Sequence, residues 1–87
     1  MKIKKGVKAL VAEAEAAIQT MSVEQVKAAM SDPNVQVVDI RDIRELWRDG
    51  GIPGAFHAPR GMLEFWVDFD SPYYREEFGS GKKFIFF

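Results

Sequence analysis

Two ionisable residues stand at the end of an apolar run, where a sheet would place them at its edge. Residues 35–40 are mostly apolar and β-branched, which predicts a central strand of a parallel sheet. Asp39 and Arg41 then lie at the carboxyl end of that strand, where open α/β sheets form their ligand crevice. Two interpretations stay open. Both side chains serve the crevice, or Asp39 accepts N–H groups of the next turn while Arg41 pairs with a carboxylate.

A proline–glycine turn and two further polar residues follow the next predicted helix. Pro53-Gly54 suits a type II turn, because proline fixes φ at the second position and glycine supplies φ > 0 at the third. His57, the single histidine, is either a general base or a packing and hydrogen-bonding residue. Arg60 either holds a small anion with its guanidinium or forms an ion pair with Glu64 one helical turn later.

Strand and helix signals alternate around these residues. Ser22 with Gln25, and Asp42 with Glu45, have the spacing of helix starts. The alternation predicts an α/β domain with a parallel sheet flanked by helices. In chain order we predict a helix at 6–17, a strand at 18–21, a helix from 22, a strand at 35–40, a helix from 42, a helix at 61–68, a helical turn within 72–78 and a strand at 84–87.

Apolar and aromatic side chains recur at helical spacing in the helices after residue 22, which predicts that they face the core. These side chains are Val23, Val26 and Met30, then Ile43, Leu46 and Trp47, then Met62, Phe65, Trp66 and Phe69.

The first predicted helix carries an apolar stripe of its own. Val7, Leu10, Val11, Ala14 and Ile18 follow the spacing of one helix face. The stripe packs either on its own domain or on a second copy, which would make a homodimer. We interpret residues 1–17 as a helical extension and residues 18–87 as the main domain.

The apolar run at residues 84–87 is typical of a strand buried on both faces of a parallel sheet. Such a strand needs a crossover connection and covering helices. We therefore expect residues 18–87 to be the N-terminal part of a domain. Its C-terminal segment, in the same polypeptide or as a separate chain, is expected to cover this strand.

Composition excludes several classes of function. A net charge of -1 provides no polycationic field, so no nucleic-acid partner is expected. The 87 residues contain no cysteine, which excludes disulfides, thiolate metal sites and thiol catalysis within them, and no cofactor is expected. No apolar run reaches membrane-spanning length, so we expect no membrane partner and a cytoplasmic location.

The combination of motifs resembles the rhodanese family. An Asp-x-Arg strand end, a short helix and the turn Gly51-Ile52-Pro53-Gly54-Ala55 carry this resemblance over residues 35–59. Residues 61–66 resemble the next helix of some single-domain bacterial members. Many members have a histidine where this chain has Gly51, and that difference removes one polar contact.

The resemblance implies a rhodanese-like sulfurtransferase fold, a five-stranded parallel sheet that is incomplete in this chain. In such transferases a cysteine in the loop after the strand seen here as Phe84–Phe87 takes sulfane sulfur from a donor such as thiosulfate. The resulting persulfide passes the sulfur to a thiophilic acceptor. The resemblance assigns Asp39 and Arg41 to active-site support and Arg60 to binding the donor anion. The full-length protein is then an enzyme, whereas these 87 residues alone are not.

Two other functions are compatible with the same resemblance. Inactive relatives without the cysteine are binding or regulatory modules. Phosphatases related by fold carry a cysteine loop that is one residue longer and accepts phosphate. The residues that follow Phe87 distinguish the three.

Overall fold

A three-stranded parallel sheet lies at the centre of the structure, a computed structural model that describes residues 2–87. The strands are β1 (Val35–Asp39), β2 (Phe56–His57) and β3 (Lys83–Phe86), in the order β2-β1-β3. Val38 of β1 is in register with Phe56 on one side and with Phe86 on the other. The apolar run that predicted a central strand therefore occupies the centre of the sheet, and the α/β prediction with a parallel sheet is confirmed.

The helices begin and end where capping residues allow. The predicted capping box is present: Gln25 N donates to Ser22 Oγ over 3.2 Å, and Ser22 N donates to Gln25 Oε1 over 2.8 Å. Asp42 accepts from Arg44 N over 2.9 Å. Gly50, with φ of 78°, follows the last turn of its helix. The helices are α1 (Val7–Ala17), α2 (Val23–Ala29), α3 (Ile43–Asp49) and α4 (Leu63–Val67), followed by a 3₁₀ turn at Glu76–Gly79.

The strand predicted at residues 18–21 is wrong. Ile18 is extended, with φ of −122° and ψ of 164°, but residues 18–21 belong to no sheet. An extended segment becomes a strand only when a neighbouring backbone pairs with it, and none of the described residues does so here.

A groove of about 870 Å³ separates that segment from the outer edge of β3. Its lining is mostly apolar, and neither wall is bridged by a further strand of residues 2–87. The lining consists of Ile18 to Met21, Val23, Val26, Lys27, Met30, Ile52 and Lys83 to Phe87.

The core is small, and several predicted core residues are exposed. The buried apolar residues are Val37, Val38 and Ala58. On α3, Trp47 is 76% exposed and Ile43 38%, so the predicted buried face of this helix is wrong for both. Elsewhere Val23, Met30, Phe65 and Phe69 are also exposed, whereas Val26, Leu46, Met62 and Trp66 are half-buried. The reason is that residues 2–87 do not supply enough layers to cover the outer sides of these helices.

An aromatic cluster packs the end of α4 and the 3₁₀ turn against the sheet. The ring of Phe56 lies 6.2 Å from that of Trp66 and 5.7 Å from that of Phe78, centre to centre. Phe78 continues the cluster to Phe84 at 5.3 Å. The guanidinium of Arg75 lies 4.7 Å from the Trp66 ring, a cation–π contact that caps the cluster.

Helix α1 stands apart from this packing, since each of its residues is exposed. The division into a helical extension and a main domain stays a prediction. No helix within residues 2–87 is long and apolar enough to cross a bilayer.

Candidate active-site crevice

A crevice of about 440 Å³ opens at the carboxyl ends of β1 and β2. Backbone hydrogen bonds position its floor: Ala58 N donates to Asp39 O over 2.9 Å, and Arg60 N donates to Ile40 O over 3.1 Å. The loop after β2 is thereby tied to the end of β1, at the sheet edge where such folds place ligands. The crevice is lined by Ile40, Arg41, Asp42, Glu45, Pro59, Arg60 and Gly61.

Asp39 and Arg41 form a bidentate ion pair beneath the crevice. Asp39 is only 1% exposed, and its Oδ2 accepts from Arg41 Nη2 over 2.7 Å. Arg41 Nε and the Arg41 backbone N each donate to Asp39 Oδ1 over 3.0 Å. These hydrogen bonds, the guanidinium bonds first, hold the pKa of Asp39 below its ordinary value, against the burial that raises it. The geometry is that of the ion-pair interpretation, with the two residues as each other's partners.

Arg41 also contacts two other parts of the crevice wall. Its Nη2 donates to the carbonyl oxygen of Gly50 over 2.9 Å, which ties the loop after α3 to β1. Its guanidinium carbon lies 5.6 Å from the centre of the Phe87 ring. Arg41 therefore joins the ends of β1 and β3 and the loop that leads toward β2. Its assignment to active-site support stays a prediction.

His57 supports the same loop from β2. Its half-buried ring places Nε2 2.8 Å from the carbonyl oxygen of Arg41. Because a carbonyl oxygen only accepts, Nε2 carries the proton and donates it. The structure thus gives the hydrogen-bonding interpretation of His57, and this nitrogen does not serve as a base here.

Arg60 lies on the crevice with its side chain exposed. Within residues 2–87 its guanidinium makes no hydrogen bond or ion pair, and the alternative pair with Glu64 is not formed. Its role as an anion-binding residue stays a prediction.

Asp42 and Glu45 have the spacing of helix-start residues, and both also line the crevice. The signal was present, because α3 follows β1 directly and its first turn must lie at the same sheet edge. Asp42 is engaged by Arg44, whose Nε donates to Oδ1 over 3.0 Å, and this hydrogen bond lowers the pKa of Asp42. The described residues bring no three His, Asp or Glu side chains together as metal ligands.

Two comparisons relate the chain to known proteins. Residues 22–87 match the family model of the rhodanese-like domain. A solved structure from Rhodopseudomonas palustris CGA009, described as a protein of unknown function and possible tyrosine phosphatase, is 45% identical with a TM-score of 0.94. The match covers 100% of this chain and 67% of that one. No protein of curated function matches. The chain belongs to the rhodanese-like domain family.

Proposed function

We propose that this domain takes part in sulfur transfer, binding a small sulfur-donor anion such as thiosulfate in the crevice at the carboxyl edge of the sheet. The observation that carries the proposal is the position of Arg60: an unpaired guanidinium, among the described residues, on the crevice of a rhodanese-like domain. A guanidinium without a protein partner is suited to an oxyanion, with which it forms two parallel hydrogen bonds.

The other charges of the crevice favour Arg60 over Arg41 as the anion's partner. Arg41 is already ion-paired with Asp39, and the carboxylate of Asp42 is ion-paired with Arg44. Glu45 is the remaining carboxylate of the lining, and it repels an anion from the α3 side. A donor anion is therefore expected on the side of the crevice formed by the loop after β2.

The chemistry needs a thiolate from outside these 87 residues, since none of them is a cysteine. The thiolate attacks the outer sulfur of thiosulfate, the S–S bond breaks, and sulfite leaves with the bonding electron pair. The cysteine keeps the sulfur as a persulfide. A thiophilic acceptor then attacks the terminal sulfur, takes it and releases the thiolate, so no external oxidant or reductant is required.

The outer edge of β3, unpaired among residues 2–87, is expected to have a structural partner. A further segment of the full-length polypeptide would pair beside Lys83–Phe86 and fill the groove against residues 18–30. Unpaired strand edges and open apolar grooves are both unfavourable in water. One added strand would pair with the edge of β3 and fill the groove. The segment would bring the thiol to the ends of β1 and β3, where Arg41 and Phe87 meet.

A phosphatase is the second candidate, favoured by one observation. The similar solved structure is described as a possible tyrosine phosphatase. A phosphate ester is also an oxyanion, and Arg60 and a thiolate would act on it in corresponding roles. The two reactions differ in the atom attacked, phosphorus or sulfur, and in the cysteine loop that encloses it.

The test is a pair of assays on the full-length protein that contains these residues. One follows thiocyanate formed from thiosulfate and cyanide, and the other follows hydrolysis of p-nitrophenyl phosphate. We expect thiocyanate formation that is lost when the active-site cysteine is replaced by serine. Phosphate release without thiocyanate formation favours the phosphatase. Absence of both activities favours a binding or regulatory module.

A further inference from the structure

Two side chains of the crevice carry opposite charges that no other described residue neutralises. Arg60, on the loop after β2, and Glu45, on the first turn of α3, both line the crevice. Neither forms an ion pair within residues 2–87, and Glu45 is half-buried. We propose that the crevice selects a zwitterionic amino thiol as the sulfur acceptor, with its carboxylate on Arg60 and its ammonium group on Glu45. This inference rests on the proposed sulfur transfer and adds the class of acceptor to it.

The arginines nearest to Glu45 are each held by another carboxylate. Arg44 Nε lies 3.0 Å from Asp42 Oδ1, and Arg48 Nη2 lies 3.0 Å from Asp49 Oδ2. The arginine of the ion pair beneath the crevice is likewise held by its own aspartate. Because the two charges of a close pair nearly cancel at the distance of a ligand, Glu45 gives this wall of the crevice its net negative charge.

Backbone hydrogen bonds fix the two charged walls close to each other. Arg60 N donates to the carbonyl oxygen of Ile40 over 3.1 Å, and Glu45 N donates to that of Asp42 over 2.9 Å. Residues 40 and 42 are two positions apart, so the two anchor points lie within ~7 Å. The crevice volume of about 440 Å³ is toward the lower end of the range for small-molecule sites. The two opposite charges therefore belong to one site, and its size suits a small ligand.

The chemistry of the lining defines the ligand that fits. Ile40 and Pro59, both half-buried, add apolar surface to the lining of the crevice. A guanidinium binds a carboxylate through two parallel hydrogen bonds, and a carboxylate accepts N–H groups of an ammonium ion. A ligand without the ammonium group would leave Glu45 desolvated and unpaired, which is unfavourable and gives selectivity. The matching acceptor is an amino acid with a thiol on a short chain, such as cysteine.

The same arginine serves both halves of the reaction, because sulfite leaves before the acceptor binds. The acceptor thiol loses its proton to water, and its thiolate attacks the terminal sulfur of the enzyme persulfide. The S–S bond of the enzyme persulfide breaks, and its electron pair returns to the enzyme cysteine as a thiolate. The acceptor leaves as a persulfide, so this step needs no oxidant or reductant.

The test measures sulfite release from saturating thiosulfate by the full-length protein, with cysteine, 3-mercaptopropionate or cyanide as the acceptor. 3-Mercaptopropionate lacks the ammonium group, and cyanide lacks both charged groups. Glu45→Gln should raise the KM for cysteine about tenfold and should not raise the KM for the other two acceptors. Arg60→Gln should raise the KM for both carboxylate acceptors. Glu24→Gln, on the first turn of α2 and outside the crevice, is the matched control and should change none of them.

Comparing each acceptor with itself across the variants cancels differences in thiol reactivity. An unchanged KM for cysteine in Glu45→Gln overturns the proposal. So does an equal rise for cysteine and 3-mercaptopropionate, which shows that Glu45 supports the crevice and does not bind the ammonium group.

A separate binding measurement distinguishes failure of this inference from failure of the proposed function. A wild type that releases no sulfite with any acceptor contradicts sulfur transfer itself. The crevice is then tested by NMR titration with S-methylcysteine, a zwitterion that cannot accept sulfur. We expect it to bind the wild type and to bind Glu45→Gln about tenfold more weakly. Absence of binding to the wild type, or equal binding to both proteins, overturns the zwitterion site.

Discussion

The guanidinium carbon of Arg41 lies 5.6 Å from the centre of the Phe87 ring, so a residue held by β1 rests on the residue that follows β3. The same region is closed by two backbone bonds, Ile40 N to Phe87 O over 2.9 Å and Phe87 N to Val38 O over 3.0 Å. The buried Asp39 holds Arg41 in place for this contact. The central strand thus sets the direction in which the chain leaves β3.

Replacing Asp39 with alanine should lower stability and activity together. The buried ion pair is lost, and Arg41 is left with unpaired donors under the crevice, which costs roughly 1–3 kcal/mol for each group. Urea denaturation of the full-length protein measures the loss, and thiocyanate formation measures the activity. Asp70→Ala, which removes an exposed carboxylate outside the crevice lining, is the control for a lost negative charge. A variant with unchanged stability and no turnover would instead make Asp39 a catalytic residue.

Stability should fall in acid because of the same carboxylate. The pKa of Asp39 is lower in the folded protein than its ordinary value of 3.8, so the unfolded chain binds more protons in the interval between the two. The stabilisation is therefore present above about pH 3.8 and is lost as pH falls toward the folded value. Melting temperatures measured from neutral pH to pH 3 should show a steeper acid loss in the wild type than in Asp39→Asn. Parallel profiles would contradict this assignment.

Gly54 should resist substitution because of its backbone conformation. Ala55 N donates to Ile52 O over 3.1 Å, and Gly54 has φ of 82°, as predicted for the third position of the Pro53-Gly54 turn. Gly54→Ala should cost about 1–2 kcal/mol, the penalty of a Cβ in the left-handed region. Gly61→Ala is the matched control, since no atom lies within 4 Å of a Cβ built there and its φ is not positive. Equal melting temperatures for the two variants would contradict the argument.

The 87-residue chain on its own should not melt as a cooperative monomer. Phe86 is 46% exposed and Phe87 38%, and the groove beside β3 is open. Covering such side chains contributes about 1.5–3 kcal/mol each, which is comparable to the whole net stability of a small domain. Calorimetry of the isolated chain, with the full-length protein as control, measures this. A sharp monomeric transition at the temperature of the full-length protein would contradict the need for a further segment.

The sequence predicted local features that depend on neighbouring residues. The capping box at Ser22 and the turn at Pro53-Gly54 each follow from a few adjacent side chains. The central position of β1 follows from its continuous apolar run. Each of these features is fixed by chemistry within one turn or one strand.

Features that depend on distant partners could not be predicted in the same way. The sequence of residues 18–21 predicts a strand, but a strand needs a neighbouring backbone to pair with, and residues 2–87 do not provide one. Trp47 has helical spacing typical of a core residue, and it is exposed because no layer lies over it. The ion pairs of the arginines also depend on tertiary geometry: Arg41 pairs with Asp39, whereas Arg60 does not pair with Glu64.

The most direct test of the proposed function is the dependence of thiocyanate formation on thiosulfate concentration, in the full-length wild type and in Arg60→Gln. We expect saturable activity in the wild type. In the variant the KM for thiosulfate should rise about tenfold with a small change in kcat, the effect of removing one charged hydrogen-bonding partner of the anion. Arg48→Gln, on the exposed side of α3, should leave both constants unchanged. An unchanged KM in Arg60→Gln, or a wild type that forms no thiocyanate, would contradict the account.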